Sequence, residues 1–222
     1  MKISSLNYIS RLSILIFGFL LSSELISSEN AEYEIYEKMV SVYRNIDTYS
    51  DKGIIKTKKT RRKYIEVMKF GTKYDSNGYF TFDWSDVGGA FDGELNYIKS
   101  EKDNIETKLY GAKRNEKNLT SALRSLAGVT RSASYFIPRY LLPEVPILNL
   151  SAVYHISLDK IYKHHKNYKY LLIVEYTYGG IKKIWLNADY LIVKLETSIK
   201  RMDGVIVNKE ISVTPKVKFK IK

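Results

Sequence analysis

Residues 168–213 read YKYLLIVEYTYGGIKKIWLNADYLIVKLETSIKRMDGVIVNKEISV, and this run carries the clearest structural pattern in the chain. Its apolar residues, many of them β-branched or aromatic, come in short runs that are typical of β-strands. Three turn-forming dipeptides divide the run: Gly179-Gly180, Ala188-Asp189 and Asp203-Gly204. The segment therefore predicts four strands joined by short turns, at residues 168–178, 181–187, 191–202 and 205–213.

The strand pattern extends towards the N-terminus from this run. It predicts further strands at residues 54–59, 63–70, 79–84, 96–100, 105–110 and 151–159, with Asn77-Gly78 as a tight turn. Helical spacing of apolar residues predicts an amphipathic helix over residues 31–46, followed by a helix exit and turn at residues 49–53. Two more helical segments are predicted at residues 119–128 and 132–142, the second broken or kinked at Pro138.

This order of elements predicts an α+β fold with about ten antiparallel strands. A sheet of that size twists and curls, so we expect a strongly curved half or incomplete β-barrel with helices covering its concave side. The chain has no internal repeat and no low-complexity linker, which favours a single domain over residues 31–222.

The first residues of the chain have the pattern of a secretory signal. Lys2 and Arg11 precede an apolar run at residues 12–21, and Glu24 interrupts any longer apolar stretch. We expect a signal peptide at residues 1–28 and a periplasmic mature protein; the alternative is an uncleaved membrane anchor. The chain has no cysteine, so the prediction includes neither disulfide bonds nor an acylated N-terminal cysteine.

The chain is strongly basic, with 36 Lys and Arg against 24 Asp and Glu and a formal net charge of +12. The positive residues are spread along the chain, and the densest run lies at residues 56–63. Lysines at this spacing fit the solvent-exposed faces of strands, and the alternative is a dedicated anion-binding face. Export makes nucleic acid a poor partner.

The order and spacing of several short motifs resemble the periplasmic proteins with the fold of the lipoprotein carrier LolA and its receptor LolB, most closely the uncharacterised predicted periplasmic proteins of that kind. The motifs are YSDKG at 49–53, FGTKY at 70–74, YFTFDW at 79–84, YIKS at 97–100, the helical residues 119–128, SAS at 132–134 and WLNAD at 185–189 before LIVK at 191–194. The resemblance implies a curved antiparallel sheet whose helices lid an apolar cavity for acyl chains or other hydrophobic groups.

No motif for catalysis or cofactor binding was found, so we predict a non-enzymatic protein without a cofactor or metal. The adjacent His164 and His165 fit an exposed turn better than a metal site, because flanking lysines repel a cation. The carboxylates Asp83, Asp86, Asp92 and Glu94 surround glycines, a composition that favours a long turn over a cation site. The third histidine, His155, lies alone in a predicted strand.

The second helical region supplies the candidate ligand-binding residues, an apolar set made of Leu123, Leu126, Phe136, Ile137, Leu141 and Leu142. Two interpretations apply to them: plain packing of helix on sheet, or a movable lid over an apolar pocket. We predict an exported binding protein that holds a lipid, acyl chain or lipidated protein and contacts a membrane surface or an envelope protein. The alternative is an envelope interaction or sensor protein that binds an acidic polymer or partner through a basic surface.

Overall fold

The computed structural model describes residues 31–63, 65–87, 92–98, 105–109, 112–116, 118–143, 145, 153–177 and 180–220. The predicted signal peptide at residues 1–28 lies outside this part of the chain, as do Gly88, Gly89 and Gly179 of the predicted turns.

Eleven strands and four helices make up the described structure. In chain order they are α1 (Ala31–Arg44), β1 (Ile46–Lys59), β2 (Glu66–Asp75), β3 (Tyr79–Asp86), β4 (Asp92–Ile98), β5 (Ile105–Leu109), β6 (Ala112–Glu116), α2 (Leu119–Leu126), α3 (Ala133–Phe136), α4 (Pro138–Leu141), β7 (Val153–Ile161), β8 (Tyr170–Tyr176), β9 (Ile181–Leu186), β10 (Ile192–Lys200) and β11 (Ile206–Phe219).

All the strands form one antiparallel sheet in the order β6-β5-β4-β3-β2-β1-β11-β10-β9-β8-β7. Two meanders therefore meet at the centre, where β1 pairs with β11 along nearly its whole length. The sheet is open, with β6 and β7 as its end strands. The predicted antiparallel α+β architecture is confirmed, whereas the placement of the helices on a concave side remains a prediction.

One face of the sheet shares its core with the helices. Along β1 the buried positions alternate with exposed ones, as the period of a strand requires: Tyr49, Asp51, Gly53, Ile55 and Thr57 are buried, and Lys52, Ile54, Lys56 and Lys58 are exposed. The buried strand residues and the apolar residues of α1 to α4 belong to a single hydrophobic cluster. We call this side of the sheet the inner face and the other side the outer face.

Three expectations from the sequence were wrong. Residues 49–53 form part of β1 and not a turn, because Tyr49 packs in the core and Asp51 accepts hydrogen bonds there. The predicted long turn at Asp83 to Glu94 is instead the paired strands β3 and β4 around a short connection. Strand β6, AKRNE, was not predicted, since it has no apolar alternation and forms by pairing with β5.

The end strand β7 is irregular. Its pairing with β8 shifts register between Val153 and His155 and again between Leu158 and Lys160. Such bulges increase the local twist of a strand. The second shift coincides with the exposed charged residues Asp159 and Lys160.

A candidate ligand site between the helices and the inner face

The six predicted lid residues come together in the core between the helices and the inner face. Five of them, Leu123, Leu126, Ile137, Leu141 and Leu142, are at most 3% exposed, and Phe136 is half-buried. They belong to the same hydrophobic cluster as inner-face residues such as Phe80 and Leu95. In this arrangement the side chains of the helices themselves fill the space above the sheet.

Helix α2 has a defined beginning and one apolar face. The side chain of Asn118 caps its N-terminus by accepting a hydrogen bond of 2.8 Å from the Ser121 amide. Leu119, Ala122, Leu123 and Leu126 are buried, whereas the intervening Arg124 is exposed. This spacing directs one apolar stripe at the sheet.

Buried hydroxyls hold α2 and α3 together. The Thr130 hydroxyl donates to the Leu126 carbonyl at 2.8 Å, and the Ser134 hydroxyl donates to the Leu123 carbonyl at 2.9 Å. The Leu126 carbonyl also accepts a hydrogen bond of 2.9 Å from the Thr130 amide. The Ala127 amide pairs with the Arg124 carbonyl instead of the Leu123 carbonyl, and the Ser134 hydroxyl satisfies the latter. The two helices therefore pack as a pair.

The connection between α2 and α3 is strained and anchored to the sheet. Arg131 and Ser132 have positive φ angles of 54° and 75°, which non-glycine residues rarely adopt. Lys209 of β11 donates to the Arg131 carbonyl and the Ser132 hydroxyl at 3.0 Å each, and Glu66 of β2 lies 3.4 Å from the Arg131 guanidinium. These contacts hold the strained turn in place.

Helix α4 is tied to α1 at the other end of the helix layer. Arg44 Nη2 donates to the Arg139 carbonyl at 3.3 Å. The ring of Tyr43 packs 5.7 Å from that of Tyr140, and the Tyr43 hydroxyl accepts a hydrogen bond of 3.0 Å from the Ile192 amide of β10. Helix α4 is thus held by one polar contact and one aromatic contact.

Two buried cations lie where this layer meets the sheet, and neither was expected from the sequence. Arg139 of α4 is 3% exposed and Lys182 of β9 is 5% exposed. Arg139 Nη2 donates to the Tyr140 hydroxyl, and Lys182 Nζ donates to the Tyr176 hydroxyl, both at 2.8 Å. Burial lowers the pKa of Lys182 well below its usual range, and the nearby charge of Arg139 lowers that pKa further.

The outer face carries three of the four acidic residues once expected in a turn, whereas the fourth, Asp86 of β3, pairs with the buried Met68 of β2. Asp83 of β3 and Asp92 and Glu94 of β4 line one end of a groove of about 1080 Å³ that crosses the middle of the sheet. Five lysines, Lys52, Lys69, Lys73, Lys108 and Lys216, line it as well. Within the described part of the chain none of these five forms an ion pair. The groove and the predicted lid residues therefore lie on opposite faces.

The adjacent histidines lie in the exposed β7–β8 hairpin, as predicted. His165 stacks on Tyr168 with the ring centroids 4.4 Å apart, and its Nδ1 accepts hydrogen bonds from the Asn167 and Tyr168 amides. His155 is exposed on β7. Among the residues that the structure describes, no three metal-ligating side chains cluster.

The basic run at residues 56–63 is partly neutralised by local contacts. Glu66 accepts from Lys59 at 3.2 Å and from Arg62, whose Nη1 lies 2.6 Å away. Arg61 donates to the Asp203 carbonyl. Of the helices that the structure describes, none is long and apolar enough to cross a membrane.

No family model and no curated protein matches this sequence. Among solved structures, the chain is similar to MucB in its complex with MucA from Pseudomonas aeruginosa, with 12% identity and a TM-score of 0.45, over 85% of this chain and 58% of that chain. The chain thus spans less than two thirds of that MucB structure.

Two shorter solved proteins are covered almost completely. One is a putative outer membrane lipoprotein-sorting protein domain from Vibrio parahaemolyticus, with 10% identity and a TM-score of 0.36 over 85% of this chain and 93% of that chain. The other is a LolA superfamily protein from Nitrosomonas europaea, with 11% identity and a TM-score of 0.36 over 86% of this chain and 94% of that chain. The structures that the chain resembles thus include LolA-like proteins, the resemblance predicted from the sequence.

Proposed function

We propose that this chain is an exported, periplasmic, non-enzymatic binding protein that holds a lipid, an acyl chain or a lipidated protein between its helices and the inner face of its sheet. The observation that carries the proposal is that three very short helices cover the inner face. Helices α2, α3 and α4 have only eight, four and four residues, and they cover apolar strand residues with apolar side chains of their own.

Helices this short favour a mechanism in which a ligand takes the place of their own side chains on the sheet. Isolated helices of this length are not stable in water, so their structure depends on contact with the sheet. An acyl chain that replaced Leu123, Ile137 and Leu141 on the sheet would gain about 0.8 kcal/mol for each methylene that it buries. The break at Pro138 separates α3 from α4, so a ligand could displace one of them without unfolding the other.

Phe136 marks the entrance in this proposal. It lies at the end of α3 immediately before the break, and it is the half-buried member of the six lid residues. Removal of its ring should weaken the binding of an apolar probe without emptying the centre of the core.

The first test is purification of the protein without detergent, followed by extraction and mass spectrometry of any bound molecule. We expect a stoichiometric lipid or acylated peptide. The Phe136→Ala variant should bind the apolar fluorophore 1-N-phenylnaphthylamine about tenfold more weakly than the wild type, since a large aromatic contact is lost.

The matched control is Tyr154→Ala, which removes an aromatic ring that is 75% exposed on β7. Its probe affinity should equal that of the wild type. A folded wild-type protein that carries no lipid and binds no apolar probe would overturn the proposal.

A second candidate function uses the groove on the outer face. Its five lysines without ion pairs favour binding of an acidic polymer or an acidic protein partner. The same preparation distinguishes the two candidates, because binding through the groove should weaken steeply with added salt and should not respond to apolar probes.

A further inference from the structure

Arg139 and Lys182 are buried without a negative charge to balance them. Among the described residues no carboxylate oxygen lies within 4 Å of either side chain's nitrogens, and Arg139 Nε has no hydrogen-bond partner. Burial of a single unpaired charge is unfavourable, and burial of two like charges near each other is more so. The packing of the core alone gives no reason for this pair.

The neutral groups around the two cations are those of an anion site. Each cation donates a hydrogen bond to a tyrosine hydroxyl: Arg139 to that of Tyr140, and Lys182 to that of Tyr176. The hydroxyl of Tyr176 lies near Arg139 as well, and so does that of Tyr36 on α1. Hydroxyls that accept from a cation can turn their own hydrogen towards an anion.

The site is close to the proposed entrance. Lys182 Nζ lies 5.4 Å from the centroid of the Phe136 ring and 5.2 Å from that of Tyr176. The buried Lys182 ammonium thus lies against a ring that is itself partly exposed to solvent. Movement of α3 would uncover the cation together with the apolar core beside it.

We propose that Arg139 and Lys182 bind the anionic oxygen group, a carboxylate or a phosphate, of the amphiphile whose chain lies between the helices and the inner face. This inference rests on the proposed function, and it adds that the ligand is acidic. The depressed pKa of Lys182 agrees with it, because a bound anion would restore the charged form of the amine. An oxyanion between a guanidinium and an ammonium would receive charge-assisted hydrogen bonds from both.

The test compares ligands that differ only in the head group. Palmitate and hexadecanol share a sixteen-carbon chain, and only palmitate carries a carboxylate. By titration calorimetry the wild-type protein should bind palmitate at least about tenfold more tightly than hexadecanol. The Lys182→Met variant should lose most of this preference while it binds hexadecanol as the wild type does.

Lys183→Met is the matched control. Lys183 neighbours Lys182 on β9, but it is exposed on the outer face. The control should keep the full preference for palmitate. Lys182→Met should stay folded, with a thermal midpoint no lower than that of the wild type, because methionine fills the site without a buried charge.

The possible results separate this inference from the proposed function. Equal binding of palmitate and hexadecanol by the wild type, with no effect of Lys182→Met, would overturn the anionic site and leave the proposed apolar binding site unaffected. If the protein binds inorganic phosphate but neither palmitate nor hexadecanol, both proposals are wrong. The two cations would then form a site for a free anion.

Discussion

Asp51 is the buried carboxylate at the centre of the sheet. It accepts a hydrogen bond of 2.9 Å from the Tyr49 hydroxyl and one of 2.8 Å from the Thr72 amide. Burial raises the pKa of Asp51 to about 6, although these two hydrogen bonds act to lower it. Between pH 4 and pH 6 the unfolded chain has therefore lost this proton while the folded protein still holds it, so stability falls as the pH rises.

Replacement of Asp51 by Asn should remove this pH dependence. The Asn amide oxygen can accept from the Thr72 amide, and its amino group can donate to Tyr49. Between pH 4 and pH 8 the free energy of unfolding of Asp51→Asn should improve relative to the wild type by about 2–3 kcal/mol. Urea unfolding at the two pH values measures this change.

The control for this experiment is Asp92→Asn on β4, where the carboxylate is exposed. Unfolding of this variant at the two pH values measures the effect of removing a carboxylate that is not buried. A constant difference for Asp51→Asn would show that Asp51 has an ordinary pKa in the folded protein.

At the scale of the element, the central strands depend on a glycine beneath an aromatic ring. Gly53 of β1 lies opposite Phe70 of β2, and a methyl group at Gly53 would come within 2.1 Å of that ring. Phe70 also stacks on Phe82 of β3, with the centroids 5.9 Å apart, so a shift of the ring away from Gly53 would disturb this contact. The absence of a side chain at Gly53 is what permits this aromatic packing.

Substitution of Gly53 by Ala should destabilise the protein by about 2–3 kcal/mol, because the core is overpacked. Gly71→Ala is the comparison on β2, where the new methyl group would meet the carboxylate of Asp83 on the outer face. Asp83 is exposed and free to rotate, so this change should cost less than about 1 kcal/mol. Chemical unfolding of the two variants gives both values, and equal losses would contradict the assignment of the constraint to Phe70.

The elements that the sequence predicted well are those with local signals. Turn dipeptides separate β9, β10 and β11, and Asn77-Gly78 joins β2 to β3, with Gly78 at a positive φ of 106°. The segment at residues 49–53 was mistaken for a turn because Ser, Asp and Gly within five residues are typical of turns. Its true structure depends on pairing with β2 and β11, which are distant in sequence.

Some residues of the candidate site could likewise be predicted from local patterns, and others could not. The buried stripe of α2 follows from its helical spacing, and Lys182 shares the parity of the buried Ile184 and Leu186, so alternation alone would have placed it inward. Lysines in strands usually face solvent, so Lys182 was not expected to be buried. Arg139 could not be predicted, because its burial depends on how α4 packs against strands that follow it in the chain.

At the scale of the whole molecule, one pairing joins the two halves of the sheet. Strands β2 to β6 extend from β1, strands β7 to β10 extend from β11, and β1 and β11 pair from Thr48 to Lys59 without interruption. The two strands lie at opposite ends of the described chain. Formation of this contact carries a large loop-closure cost, and such sheets fold slowly.

A chain that ends after Val205 lacks β11 and should not fold cooperatively. Loss of β11 leaves β1 and β10 with unpaired backbone groups at the centre of the sheet. We expect no thermal transition by circular dichroism and an increase in light scattering. A chain that ends after Phe219 keeps β11 and should melt as the full chain does; a cooperative transition in the shorter one would show that the halves are independent.

The two register shifts in β7 have a consequence for how copies of this protein meet at high concentration. A flat end strand is a template on which a neighbouring molecule can add a strand and begin a fibril. The register shifts of β7, with the charges of Asp159 and Lys160 beside the second one, disfavour that template. Copies of this protein that meet at the β7 end can therefore accumulate beside one another without joining their strands into a shared sheet.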